Sequence, residues 1–413
     1  MDNDSPRQQK SIRIYKDDYV DAHYIEQDSS TLVVSFAPRD RNPQIWGESA
    51  IIKTGASALG ITDLSNSYYP QISLTNIRQI FGDIKSKYSN IITYGHSMGG
   101  YAALKYSSLF SANTCISFSP QYSIHPKDAA FDKRRIDLFY NKDIHQECTI
   151  TIDDIQDTCS VVIYDPANSI DNKHAESILR LGAYAVRYYF TGHRSVVALT
   201  ESKQGRALLD AAANHKFNVG LTRKIIKSSR LESETYLSNM FYWAIDRKSF
   251  NLAENILTKT RLSSHTIKKS ILNFSKGERT LGDFYLRNAL GDEIGNYEDW
   301  ARLYNWVDRN TEQELQVLER KIAIEPRRIR DYLNGARATA KLGNVERSRE
   351  FLLEAEVLAG NGARQWRDIA SGYLRLHERH RAHMAIHKAI RYSPNDESIK
   401  SLKAKLERVA PIA

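Results

Sequence analysis

One short stretch limits what this chain can fold into more than any other: residues 90–104, NIITYGHSMGGYAAL. Ile91-Ile92-Thr93-Tyr94 is a β-branched run with strand character, and Tyr101-Ala102-Ala103-Leu104-Lys105 favours a helix. Between them lies Gly95-His96-Ser97-Met98-Gly99-Gly100. A chain that passes from strand to helix within so few residues must strain the backbone at Ser97, leaving its hydroxyl clear of the sheet. Residues without side chains at 95 and 99 let strand and helix approach closely around that turn. The helix that follows aims its free N–H groups, and the positive end of its dipole, at any charge developing beside Ser97.

The chain around this turn alternates strands with helical segments. Segments 11–15 and 19–26 alternate as an opening antiparallel pair, and Thr31–Phe36 is a short continuous apolar strand followed by the loop 37–43. Segment 58–62 reads as another strand, 64–69 as a loop near the turn, and 73–87 as a helix with Ile77, Ile80, Phe81 and Ile84 on one face. Beyond the turn, Thr114–Phe118, Cys159–Tyr164 and segment 184–190 are strands, and 122–158 is the least regular part. Asp165 directly follows the second of these strands and His193 the third. Asp171, in the same post-strand loop as Asp165, precedes a helical run and reads equally as an N-cap.

GHSMGG in a strand-to-helix setting resembles the nucleophile elbow of the α/β-hydrolase superfamily, over about the first half of the chain. The order Ser97, Asp165, His193 is similar to the Ser…Asp…His order of that family, each residue lying just beyond a strand. The resemblance implies a mostly parallel sheet flanked by helices. It implies Ser97 as nucleophile, His193 as base, and Asp165 as the acid that orients it, with Asp171 as the alternative because the family often places the acid a few residues past the strand. It further implies an oxyanion hole of two backbone N–H groups. One is Met98, and the other comes from the loop after Thr31–Phe36: Pro38 has no N–H, which leaves Ala37, with Phe36 second. Segment 122–158 sits where hydrolases commonly insert a lid. His96 reads as packing, and His174 as a surface or capping residue.

With 413 residues the chain is long for a single core and reads as two domains, 1–214 and 215–413. The net charge of +9 is uneven: residues 1–200 hold 20 Lys and Arg against 22 Asp and Glu, and residues 201–413 hold 38 against 27. The basic excess thus belongs to the second half, the better candidate for an acidic partner, although solvated helix faces also account for it. No apolar run reaches the length of a membrane span, and the polar start, Met1-Asp2-Asn3-Asp4-Ser5-Pro6, lacks the apolar stretch of a secretory signal. Cys115, Cys148 and Cys159 are few, odd in number and without metal-type spacing, which fits a reducing cytoplasm.

In the second half strand patterns stop. Segment 196–213 reads as one closing helix and 214–222 as the join. Tyr332, Ala336, Ser348, Leu352, Ala355 and Gly360 then recur 34 residues later as Trp366, Ala370, Ala382, Ile386, Ala389 and Pro394. This large-small-small-large-small-breaker pattern resembles the tetratricopeptide repeat, with units at 329–362 and 363–396, a degenerate one ending at Pro326, and a hint of another at 236–260. The likeness implies a protein or peptide partner. His377, His380, His383 and His387 read as exposed repeat-face side chains, and Arg327-Arg328-Ile329-Arg330 as a solvated face without the aromatic platform of a nucleic-acid site.

The expectation is therefore a cytoplasmic serine hydrolase acting on ester or thioester bonds, with no cofactor, no metal and no nucleic-acid partner. Its substrate is a small molecule or an acylated carbohydrate. The combination of hydrolase and repeats resembles bacterial proteins linked to surface-polysaccharide production, which implies a deacylase role. Two alternatives stay open: an acyltransferase using the same residues, and a non-catalytic interaction scaffold.

Overall fold

A computed structural model describes residues 11–408 apart from 40–42, 261, 293–294 and 310. The polar start at residues 1–6 and the middle of the loop 37–43 lie outside the described residues. The chain divides into two compact units, residues 1–241 and 242–413.

The first unit is built on an eight-stranded sheet: β1 (Ile12–Lys16), β2 (Val20–Ile25), β3 (Thr31–Phe36), β4 (Ser57–Asp63), β5 (Asn90–His96), β6 (Thr114–Phe118), β7 (Cys159–Tyr164) and β8 (Tyr184–Arg187). Their spatial order is β1-β2-β4-β3-β5-β6-β7-β8. β2 runs antiparallel to both its neighbours, and every other pair is parallel. This is the mostly parallel, helix-flanked α/β-hydrolase architecture expected from the sequence. β3, β4 and β6 are buried along their whole length, as strands covered on both faces by helices must be. Carboxyl ends of β5, β7 and β8 share one edge of the sheet, which is where such folds gather functional side chains.

Several boundaries depart from expectation. β8 stops at Arg187: Tyr188 adds one more bond to the carbonyl of Tyr164 at 2.8 Å, and Phe190 then turns with φ +60°. The closing helix is two helices, Ser195–Thr200 and Ala207–Ala213, because Ser202 and Gly205 form a turn between them. On the helix Gln71–Lys85 the buried face is Leu74, Ile77 and Phe81, while Ile80 is exposed. The compact first unit also extends past residue 214. The helix Val219–Ser229 packs on it, with the Ser229 hydroxyl 2.8 Å from that of Tyr188.

The second unit is helical. Its repeats are the hairpins Ile329–Lys341 with Val345–Ala359, and Ala363–Arg375 with Arg379–Tyr392. Tyr332, Ala336, Ser348, Leu352 and Ala355 are all buried, as are Trp366, Ala370, Ala382, Ile386 and Ala389 in the next repeat. The small residues permit close packing. A side chain at Gly372 would run into Leu352, and one at Gly335 would press on the Phe351 ring. Upstream, Tyr297–Leu303 and Glu312–Ile324 occupy the degenerate unit. His383 and His387 stack with ring centres 6.4 Å apart. Among the described residues, no group of three or more His, Cys, Asp or Glu side chains could hold a metal ion, and no helix is long and apolar enough to cross a membrane.

Candidate active site

Ser97 stands between β5 and the helix Met98–Lys105 with φ +56° and ψ −121°, a conformation that costs an ordinary residue roughly 1–3 kcal/mol. The fold holds it there from both sides. Ser97 N–H donates to the Phe118 carbonyl of β6 at 2.8 Å, and the Ser97 carbonyl accepts from Tyr101 N–H at 2.9 Å. Glycine is required at two neighbours: a Cβ at Gly95 would overlap the Gly99 carbonyl, and one at Gly99 would overlap the Phe36 carbonyl of β3.

His193 Nε2 lies 2.7 Å from Ser97 Oγ, and His193 Nδ1 lies 2.8 Å from Asp171 Oδ2 and 2.9 Å from Oδ1. The imidazole is about one-third exposed and the carboxylate is buried. With Nδ1–H donating to Asp171, the lone pair of Nε2 faces the serine hydroxyl and can accept its proton. Three side chains distant in sequence thus form one hydrogen-bonded line.

Asp165, the acid preferred from sequence, is not in that line. Its Oδ2 accepts from Thr191 N–H at 2.9 Å and Gly192 N–H at 2.8 Å, and its Oδ1 from Ala167 N–H at 2.9 Å. Asp165 therefore shapes the turn that presents His193. Asp171 occupies the first turn of the helix Ser169–Leu179, whose cap is Asn168, accepting from Asp171 N–H at 3.2 Å. Both candidates lie within the stretch just beyond β7, and the path of the 188–193 loop separates a backbone-holding carboxylate from one that meets the imidazole.

Of the two expected oxyanion donors, Met98 N–H opens the elbow helix and makes no hydrogen bond among the described residues. Ala37 N–H, by contrast, donates to the Ile61 carbonyl at 3.2 Å, extending β3's pairing with β4 by one residue. It can reach an oxyanion only by leaving that bond. Phe36, the second choice, sits inside the ladder opposite Ile61 and Gly95.

Two histidines do more here than the sequence indicated. His96 Nε2 donates to the carbonyl of His193 at 2.8 Å, tying the Ser97 turn directly to the backbone of His193. Burial pushes the His96 pKa down to about 4, with His193 adding to the effect, so this ring is neutral at physiological pH. His174, expected as a surface or capping residue, is fully buried one helical turn beyond Asp171. Its Nδ1 accepts from Tyr122 N–H at 3.0 Å, which places the proton on Nε2, 3.1 Å from Asp132 Oδ2. Asp132 is further paired with Arg135, and these partners outweigh its burial to bring its pKa to about 2. The irregular segment 122–158 is thereby latched to the very helix that carries Asp171. Spacing to Asp171 was the one signal in sequence that marked His174.

On the other flank, the loop 64–69 carries Asn66, Tyr68 and Tyr69 at φ +54° to +56°. Asp63 holds it by accepting the N–H groups of Ser65, Ser67 and Tyr69 at 2.9–3.0 Å. The result seats Tyr68 against Tyr101 of the elbow helix and Phe139 of segment 122–158. Clefts lined by Gln71, Lys105 and Asp154 lie toward the opposite end of the elbow helix and include none of Ser97, His193 or Asp171.

No family model matches this chain, and no curated protein matches it. Among solved structures it is similar to the capsule O-acetyltransferase of Neisseria meningitidis serogroup A (12% identity, 48% of this chain and 93% of that one, TM-score 0.38). It is also similar to an esterase of Pyrococcus furiosus (11% identity, 50% and 91%, TM-score 0.37). A tetratricopeptide-repeat domain, that of P58(IPK), matches at 13% identity over 52% of this chain and 77% of that one, TM-score 0.20. At such identities these are likenesses of fold.

Proposed function

We propose that this protein is a serine hydrolase that cleaves esters or thioesters through an acyl-Ser97 intermediate. What supports the reading above all is the continuous line Ser97 Oγ–His193–Asp171, at 2.7 and 2.8 Å. Ser97 Oγ attacks the acyl carbonyl while its proton passes to His193 Nε2. Asp171 keeps the ring in the tautomer that leaves Nε2 free, and stabilises the imidazolium that results. The alkoxide formed on the carbonyl oxygen receives Met98 N–H at the positive end of the elbow helix. One such donor contributes about 3–4 kcal/mol to lowering the barrier. His193 then returns the proton to the departing alcohol or thiol. Water, deprotonated by the same imidazole, releases the acid and restores Ser97.

A fluorophosphonate probe tests the assignment, since it labels only an activated serine. Labelling should vanish in Ser97→Ala and His193→Ala and persist in the parent. A parent that is not labelled, or a Ser97→Ala variant that is, refutes it. Hydrolysis of p-nitrophenyl acetate, and of acetylated sugars with and without an added acceptor alcohol, then separates acyl transfer to water from transfer to a carbohydrate hydroxyl. The free thiols at Cys115, Cys148 and Cys159 support action in a reducing compartment such as the cytoplasm.

A further inference from the structure

The loop that presents His193 is gripped from two directions. Phe190 takes φ +60° and Gly192 φ +54°. Glycine adopts such angles freely, but an aromatic residue does so rarely, and only where its surroundings hold it. Asp165 and His96 hold Thr191, Gly192 and His193 from the sheet side. Phe190 is held by a different segment: its carbonyl accepts from the Asn239 amide at 2.9 Å. Asn239 lies on the helix Glu234–Asp246, and Tyr236, three residues earlier, shares its face. The Tyr236 ring centre is 5.6 Å from that of Phe190, edge-on, and 6.3 Å from that of Tyr188, stacked. The Thr191 hydroxyl closes the turn by donating to the Tyr188 carbonyl at 2.7 Å.

The same segment holds the chain that follows His193. The helix Ser195–Thr200 starts two residues beyond His193 and ends at Glu201. The Glu201 carboxylate accepts the Ser233 hydroxyl at 2.9 Å, and the N–H and hydroxyl of Thr235 at 2.8 Å each. It thereby sits at the N-terminus of the helix that carries Asn239, where free N–H groups and the helix dipole favour a carboxylate. Glu232 in turn accepts from Lys203 N–H at 2.9 Å. All of these residues belong to the first unit, although those from Glu232 onward follow the boundary expected at residue 214.

We infer that Asn239 and Glu201 are positioning residues for His193: one fixes the turn ahead of the imidazole, the other the helix behind it. The inference rests on the reading of His193 as the base for Ser97. That ring is about one-third exposed, so packing around it does not hold it still, and its backbone must. Without the Asn239 bond the Phe190 carbonyl loses its donor, and Phe190 can relax towards negative φ, carrying Thr191 to His193 with it. A displacement of about 1 Å between catalytic groups costs on the order of 100-fold in rate.

The test is steady-state hydrolysis of p-nitrophenyl acetate by the full chain, together with the rate of fluorophosphonate labelling. Asn239→Ala removes the amide at a helical position that alanine favours, so the melting temperature should stay close to that of the parent. Its kcat should fall about tenfold and its labelling slow to match, with KM nearly unchanged. Asn239→Asp keeps the shape but turns an acceptor towards the Phe190 carbonyl, so kcat should fall further, by up to about 100-fold. Glu201→Ala should lower kcat a few-fold. If Asn239→Asp does not fold, Asn239→Ala still decides. A purely structural role would lower the melting temperature and leave kcat of the folded protein at the parent value. An unchanged kcat in either alanine variant, a loss confined to KM, or an Asn239→Asp enzyme faster than Asn239→Ala would each overturn the inference. A parent that is never labelled overturns the reading of Ser97 and this inference with it, whereas a labelled parent with unaffected variants overturns the positioning role alone.

Discussion

The turn at Ser97 and the paired helices at 329–392 solve opposite problems. At Ser97 every neighbour is singular: one left-handed serine, a glycine at 95 against one carbonyl, a glycine at 99 against another. In the repeats the same contact is made twice, 34 residues apart, so Tyr332 and Trp366, or Leu352 and Ile386, do equivalent work. The first arrangement stores strain to hold one hydroxyl in place, and no other position can substitute for it. The second spreads stability over near-identical contacts between neighbouring helices, and leaves the exposed faces free to vary in charge.

This contrast can be broken in order of expected effect. Ser97→Ala or His193→Ala should lower ester hydrolysis on the order of 10⁴- to 10⁶-fold without altering the melting temperature, as steady-state rates and calorimetry would reveal. Asp171→Asn should cost roughly 10⁴-fold in kcat through the wrong imidazole tautomer, again with the fold intact. Asp165→Asn should act otherwise. Its loss is of a loop that presents His193, so thermal stability falls alongside a smaller rate loss. Equal rate losses with unchanged melting in both variants would contradict the division of roles drawn from their hydrogen bonds.

Leu352→Ala should destabilise the helical unit by about 2–5 kcal/mol while fluorophosphonate labelling of Ser97 persists. Loss of labelling in that variant would show that the repeats support the elbow. The smallest effect is on acid stability. Burial holds the pKa of both His96 and His174 below the ordinary 6.5. The unfolded chain therefore takes up protons that the folded one resists. Stability from these neutral rings is complete above about pH 6.5 and declines as the pH falls towards 4, so the melting temperature should drop over that window. His174→Gln, which keeps a donor for Asp132 but cannot be charged, should flatten part of the decline.

Much of this was legible before any coordinates. Ser97 and His193 lie where strand ends and glycines place them, because a sharp strand-to-helix turn admits few sequences. The 34-residue period is equally a local property, since each hairpin repeats the same spacing of small and large residues. What tertiary structure alone decided was which carboxylate meets the imidazole, which N–H remains unpaired, and where His174 goes. Asp165 and Asp171 are both plausible acids in a one-dimensional reading, and the course of the 188–193 backbone, set by its bonds to Asp165, turns His193 to Asp171. The Ala37 N–H is engaged for a similar reason: it answers a carbonyl on β4, a strand that begins 20 residues further along. Local preference writes the elements, but hydrogen-bond partners are assigned between segments, and sequence spacing carries no record of them.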